Sequence, residues 1–191
     1  MLFTITPAAL PDGYGEAIVT VAQVKAWLRV IADDEDALIE TLRDMSIDLV
    51  EKAGNLWLGP RPDQTATFAG FGPGMRIGTG PAAALSVTAI DYIDSAGVEA
   101  AIDEGGWTVD AGGGVVPFPS STRWPIGAGA VTVTFDAGYP ADAVPAALKG
   151  AVMMFAANLY ANRETLLADG YSGDVPAGIM AAIRPYRMPV L

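Results

Sequence analysis

The chain has 191 residues, of which 51% are hydrophobic, with 22 acids against 11 bases, no histidine and no cysteine. That length and apolar fraction support one domain, or one domain with a substantial insertion, and exclude a disordered chain. A formal charge of −11 excludes a broad cationic footprint for nucleic acid, and the missing cysteine excludes disulfides, thiolate nucleophiles and thiolate metal sites.

The opening stretch MLFTITPAALPDGYG lacks a basic n-region, so no signal peptide is expected. The most apolar run, Ala151–Ala157, is too short to span a bilayer and follows Lys149. These features predict a soluble protein without a targeting signal. Thr20, with Gln23 three residues on, forms a capping box ahead of an apolar run. Val24, Trp27, Leu28 and Ile31 follow at i, i+3, i+4 and i+7, which predicts one buried helix face. Asp33–Asp36 then falls where a second helix should begin, and carboxylates there favour the positive end of the helix dipole. Leu38, Leu42, Met45 and Leu49 predict the buried stripe of that helix, flanked by Ile39 and Val50. Asp48 and Lys52 pair at i, i+4, and Gly54 fits the C-terminal stop. Residues 20–54 are therefore expected to form a helical hairpin.

Glycines and prolines break any regular pattern over residues 55–84, with short strands expected around Thr65–Phe68 and Met75–Ile77. From Leu85 the pattern becomes β. Strands are expected over Ser86–Ile93, Val98–Ile102, Trp107–Val109 and Val115–Val116, with turns at Asp94–Gly97 and Ala111–Gly114. Val131–Asp136 alternates, with Val131, Val133 and Phe135 on one face and Thr132, Thr134 and Asp136 on the other. Pro145 suits the first turn of a long helix over residues 145–162. Leu148, Val152, Phe155 and Leu159 form one stripe of it, and Ala147, Ala151 and Met154 make the other side nearly as apolar. A helix apolar all round is buried on more than one side, so Leu148, Val152, Met154, Phe155 and Leu159 belong either to the monomer core or to a subunit interface. A short helix is expected over residues 176–184 with Ile179, Met180 and Ile183 inside, stopped by Pro185. The fold class that follows is α+β: a helical bundle from both chain ends, with a β-rich insertion at about residues 60–140 in a single domain spanning residues 1–191. The remaining tail, Tyr186, Arg187, Met188, Pro189, Val190 and Leu191, ends in apolar residues that gain nothing in water unless they dock.

No group of residues assembles a catalytic signature. Asp33, Asp34, Glu35 and Asp36 do not fit a calcium loop, because the sixth position is Leu38 where such a loop needs glycine. Gly112–Gly114 is followed by Val115-Val116-Pro117 instead of a helix, so a hairpin turn is expected in place of a phosphate cradle. Ser120, Ser121 and Thr122 have no histidine to activate them. Zinc would lack both histidine and cysteine ligands, and no cofactor is expected. Trp27, Trp57, Trp107 and Trp124 read as core or interface anchors.

The ordered set VAQVKAWLRVIADDEDALIETL, LSVTAIDYIDSAG, VTVTFDAGY, VPAALKGAVMMFAANLYANRE and IRPYR resembles the head–tail connector (adaptor, or head-completion) proteins of tailed phages and of phage-like gene transfer agents. The likeness runs from about residue 20 to 187; residues 1–19 and 55–84 depart from it. The resemblance implies a non-enzymatic structural protein that forms a ring, typically of twelve copies, in the neck of a virion or phage-like particle. Its implied partners are the portal protein, a tail or stopper protein and further copies of itself, with DNA passing through without specific binding and no membrane. The tail, residues 186–191, is implied as the portal-docking segment, and Asp33–Asp36 are expected on an acidic channel face that lets DNA slide. Other readings are a stopper or tail-completion protein of the same neck, a stand-alone module holding a ligand through Trp107 or Trp124, and a carboxylate hydrolase.

Overall fold

The Thr20 hydroxyl accepts from the Gln23 amide N–H at 3.1 Å while the Gln23 side chain accepts from the Thr20 N–H at 2.9 Å, so the capping box is closed. The computed structural model of the chain describes residues 3–72, 75–77, 86–110, 113–119, 122–162 and 175–187. These fall into two compact units, one from residues 3–11 and 61–138, the other from residues 12–60 and 139–187.

The second unit is helical. It comprises α1 (Tyr14–Ile18), α2 (Val21–Leu28), α3 (Asp36–Gly54), α4 (Ala146–Ala161), α5 (Ala177–Ile183) and a short 3-10 turn, Arg184–Tyr186. Val24, Ile39, Leu42, Ile47, Val50, Leu148, Val152, Phe155, Leu159, Ile179 and Ile183 form one continuous core with Tyr14, Ile18, Leu56 and Leu58. The helices at both chain ends therefore close on each other, as the two separated apolar patterns require. Each predicted helix is present within a few residues of its expected limits.

Two details of the helical reading are corrected. Helix α2 stops at Leu28 because Arg29 takes a left-handed conformation (φ 59°), so Ile31 lies on a loop and is 93% exposed, and Trp27 is 51% exposed. The buried face of α3 is rotated from the leucine stripe. Leu38 and Met45 are exposed, while Ile39, Leu42, Arg43, Ser46, Ile47, Val50 and Glu51 are buried. The rotation follows from polar groups that are satisfied inside: Ser46 donates to the Leu42 carbonyl at 2.6 Å, and Arg43 and Glu51 have the partners described below.

The first unit is β. Among the described residues a five-stranded antiparallel sheet runs in the order β1 (Phe3–Thr6), β2 (Arg61–Phe68), β8 (Val131–Ala137), β4 (Ser86–Ile93), β5 (Glu99–Ala101). A three-stranded sheet runs β3 (Met75–Arg76), β7 (Gly114–Pro117), β6 (Trp107–Val109). The alternation in β8 is realised: Val131, Val133 and Phe135 are fully buried, and this strand sits between β2 and β4. Strand β2 is longer than its expected Thr65–Phe68 core. It carries a register irregularity between Arg61 and Gln64, and buried Gln64 accepts from the Ala8 N–H at 3.1 Å and donates to the Pro62 carbonyl at 2.7 Å. The amide side chain thereby satisfies the Pro62 carbonyl inside the irregular stretch and the Ala8 N–H just beyond β1. Strand β1 and helix α1 have no counterpart in the sequence reading.

Candidate functional site

The candidate site is a set of surfaces. The acidic corner between α2 and α3 comes first. Lys25 Nζ lies 2.6 Å from both Asp33 and Asp36. Hydrogen bonding to Lys25, and then its charge, holds the Asp33 carboxyl below its ordinary 3.8. Hydrogen bonds to Asp33 and Asp36 raise Lys25 above its ordinary 10.5. Tyr160 of α4 donates its hydroxyl to Glu35 at 2.5 Å. Three of the four acids of the run therefore hold the corner together, and Asp34 is exposed beside them.

Two networks that sequence reasoning missed tie α1 to α3. The Arg43 guanidinium, 2% exposed, reaches Glu16 at 2.6 Å, Asp44 at 2.8 Å and Glu40 at 3.2 Å. Desolvation opposes its charge, but these carboxylates outweigh that and raise its pKa. A Cβ on Gly15 would lie 2.1 Å from Asp44 Oδ1 and 2.7 Å from Arg43 Nε, so glycine makes room for the network. In the second network the Tyr14 hydroxyl donates to Glu51 at 2.5 Å and accepts from the Gly59 N–H at 3.0 Å, while the Leu58 N–H donates to the same carboxylate oxygen at 2.8 Å. The sequence carried little signal for them, because the leucine stripe of α3 ranks Arg43 and Glu51 as outward residues and Tyr14 and Glu16 precede the first recognisable capping box.

Leu148, Val152, Phe155 and Leu159 of α4 are buried in the helical core, and Met154 is turned outward at 37% exposure. In the tail, Tyr186 packs partly against that core and Arg187 is exposed; Met188–Leu191 lie outside the described residues. Trp124 stacks on Phe71 at 4.8 Å, and Phe71 meets Tyr92 edge-on at 5.3 Å. A concavity of about 600 Å³ on the β4–β5 side of the sheet is lined by Asp91, Tyr92, Glu99 and Thr132 among others, and neither Trp107 nor Trp124 lines it. In the β6–β7 hairpin, Asp110 accepts from the Gly114 N–H at 2.9 Å through its side chain and from the Gly113 N–H at 3.0 Å through its carbonyl. A carboxylate thus occupies the turn where a phosphate cradle would need free N–H groups. Ser120 and Ser121 lie outside the described residues, and Thr122 is exposed. Among the described residues no three carboxylates come together in a way that could hold a metal ion, and no helix is long and apolar enough to cross a membrane.

No family model matches this chain, and no curated protein matches it. Solved structures do. Over 98% of its length the chain is similar to 96% of a chain in the virion of a native gene transfer agent particle, with a TM-score of 0.68 and 24% identity. It is similar over its whole length to 97% of a chain in the neck of an empty gene transfer agent particle computed with C6 symmetry, with a TM-score of 0.66 and 26% identity. In the neck of the native particle computed with C12 symmetry the corresponding values are 97% of that chain, a TM-score of 0.63 and 24% identity. The connector resemblance read from the sequence therefore extends to three dimensions, and the chain has, end to end, the fold of chains in gene transfer agent particles and their necks.

Proposed function

We propose that this chain is a structural subunit of the neck of a phage-like particle, forming a homo-oligomeric ring between portal and tail and extending the DNA channel. The observation that carries the reading is the whole-length structural match to chains from particle necks with C6 and C12 symmetry. The site's chemistry is consistent with it: rigid corners, packed helices and satisfied carboxylates, arranged for binding. Repetition by symmetry lets weak single contacts sum to a stable ring. The acid excess of the chain, more than any single carboxylate, keeps DNA moving, because phosphate affinity needs cationic contacts. Met188–Leu191 supply the apolar docking segment for the portal, with Tyr186 fixing its base on the helical core.

Co-sedimentation with portal rings from the same genome tests this. Saturable binding at one copy per portal subunit, lost when residues 188–191 are deleted, is the expected result. A chain that fails to bind portal at high concentration, yet binds the tail-side ring, would instead be a stopper or tail-completion protein.

A further inference from the structure

We infer that the corner between α2 and α3, tipped by Trp27 and Ile31, is one half of the contact between neighbouring copies of this chain, and that the outward side of α4 around Met154 is the other half. The inference rests on the ring reading above and names the surfaces that would build it. Single exposed apolar side chains are ordinary, but Trp27 near the end of α2 and Ile31 on the loop that follows are two large ones within five residues, at the edge of the core that holds Val24 and Leu28. Val24 and Leu28 are covered within the chain, while Trp27 and Ile31 are left at 51% and 93% exposure.

The corner is held rigidly. The Val30 N–H donates to the Lys25 carbonyl at 3.0 Å, Lys25 clamps Asp33 and Asp36, and Tyr160 holds Glu35. A pre-organised apolar tip loses little conformational freedom on binding. The occupant is a second copy, because the same fold stands in necks of C6 and C12 symmetry, and cyclic rings beyond a dimer join two different faces of each subunit. Charge selects the second face. Residues 12–60 carry ten acids and four bases, so two such corners repel each other. Residues 139–191 balance four acids with four bases. Met154 points away from the core at 37% exposure, and a Cβ on neighbouring Gly150 would meet nothing within 4 Å. Lys149 of α4 supplies a base on this helix to meet Asp34 of the neighbour.

The absence of cysteine makes thiol cross-linking clean. A chain carrying both Ile31→Cys and Met154→Cys, assembled on portal rings or concentrated alone, should give a ladder of covalent oligomers with a bismaleimide, while each single variant stays monomeric on a denaturing gel. Rings visible by electron microscopy without a ladder would overturn this contact and leave the ring reading intact. No rings with or without portal would overturn both. A covalent dimer from Ile31→Cys alone would show the corner meeting itself and would also overturn it. As a second readout, Ile31→Asp should keep the melting midpoint and lose at least tenfold in self-association; unchanged association would remove the corner from the interface.

Discussion

Arg43 is the residue on which the N-terminal arm depends. It is buried with three carboxylates that are each about half in water. Removing one partner of a buried ion pair usually costs about 3–5 kcal/mol, and water left around the acids brings Arg43→Ala to the low end, about 3 kcal/mol. Arg43→Met keeps the volume and should lose less; urea titrations of the two variants check the order. Gly15→Ala forces its methyl against a guanidinium that three carboxylates hold in place, and an overpacked site of this kind costs about 1–3 kcal/mol. Tyr14→Phe leaves the buried Gly59 N–H without its acceptor, which costs about 1–3 kcal/mol. The Lys25 clamp has a defined pH window. The folded Asp33 pKa is depressed below 3.8, so its contribution is full above that value and fades as pH falls through the lower folded one. The folded Lys25 pKa is raised above 10.5, so its contribution is full below that value and fades as pH rises through the higher folded one. With no histidine in the chain, the melting midpoint should be flat between about pH 6 and 8; a sigmoidal change there would show that another group titrates in the fold.

Helix α3 shows what a hydrophobic pattern can and cannot specify. Its existence, length, Asp48–Lys52 pair at 2.6 Å and stop near Gly54 were all legible, because each depends on residues within one or two turns. Its orientation was not, because a leucine count ranks Arg43, Ser46 and Glu51 as outward residues, while Ser46 is satisfied by the Leu42 carbonyl and Arg43 and Glu51 by partners on α1 as well. The partners that come from elsewhere, Glu16 and Tyr14 of α1, lie well before α3 in the sequence and have no periodic signal of their own. Strand β1 escaped for a related reason. Phe3–Thr6 is four residues long, and its place in the sheet is set by pairing with β2, some sixty residues on. Strand β8 was legible because a central strand with one face inward alternates strictly. The rotation of α3 makes a paired prediction. Ile47→Ala should cost about 2–5 kcal/mol as a core truncation, and Leu38→Ala should stay within about 0.5 kcal/mol as a surface change. Equal losses in thermal denaturation would restore the leucine stripe as the buried face.

At the scale of the whole molecule, charge sets how the chain would meet DNA in the proposed neck. Each copy carries a formal −11 at neutral pH, and ring formation would bring many such copies around one duplex. Even non-specific DNA binders, with dissociation constants of about 10⁻⁴ to 10⁻⁶ M, draw that affinity from lysine and arginine contacts that release counterions. Here Arg43 is enclosed by its own carboxylates, Lys25 is clamped by two more and Lys52 pairs with Asp48, so at least three of the 11 bases are already paired within the chain. In the proposed ring, acidic surface and internally paired cations together would make a wall that repels phosphate without trapping it. The purified chain, and rings assembled on portal, should therefore not retard duplex DNA at about 50 mM salt, where electrostatic binding is strongest. Micromolar binding that weakens steeply with added salt would mean that exposed cations converge on the channel. The acid excess would then face outward, toward the partners of the ring, and the cations would be sought among Arg76, Arg123 and the bases of residues 139–191.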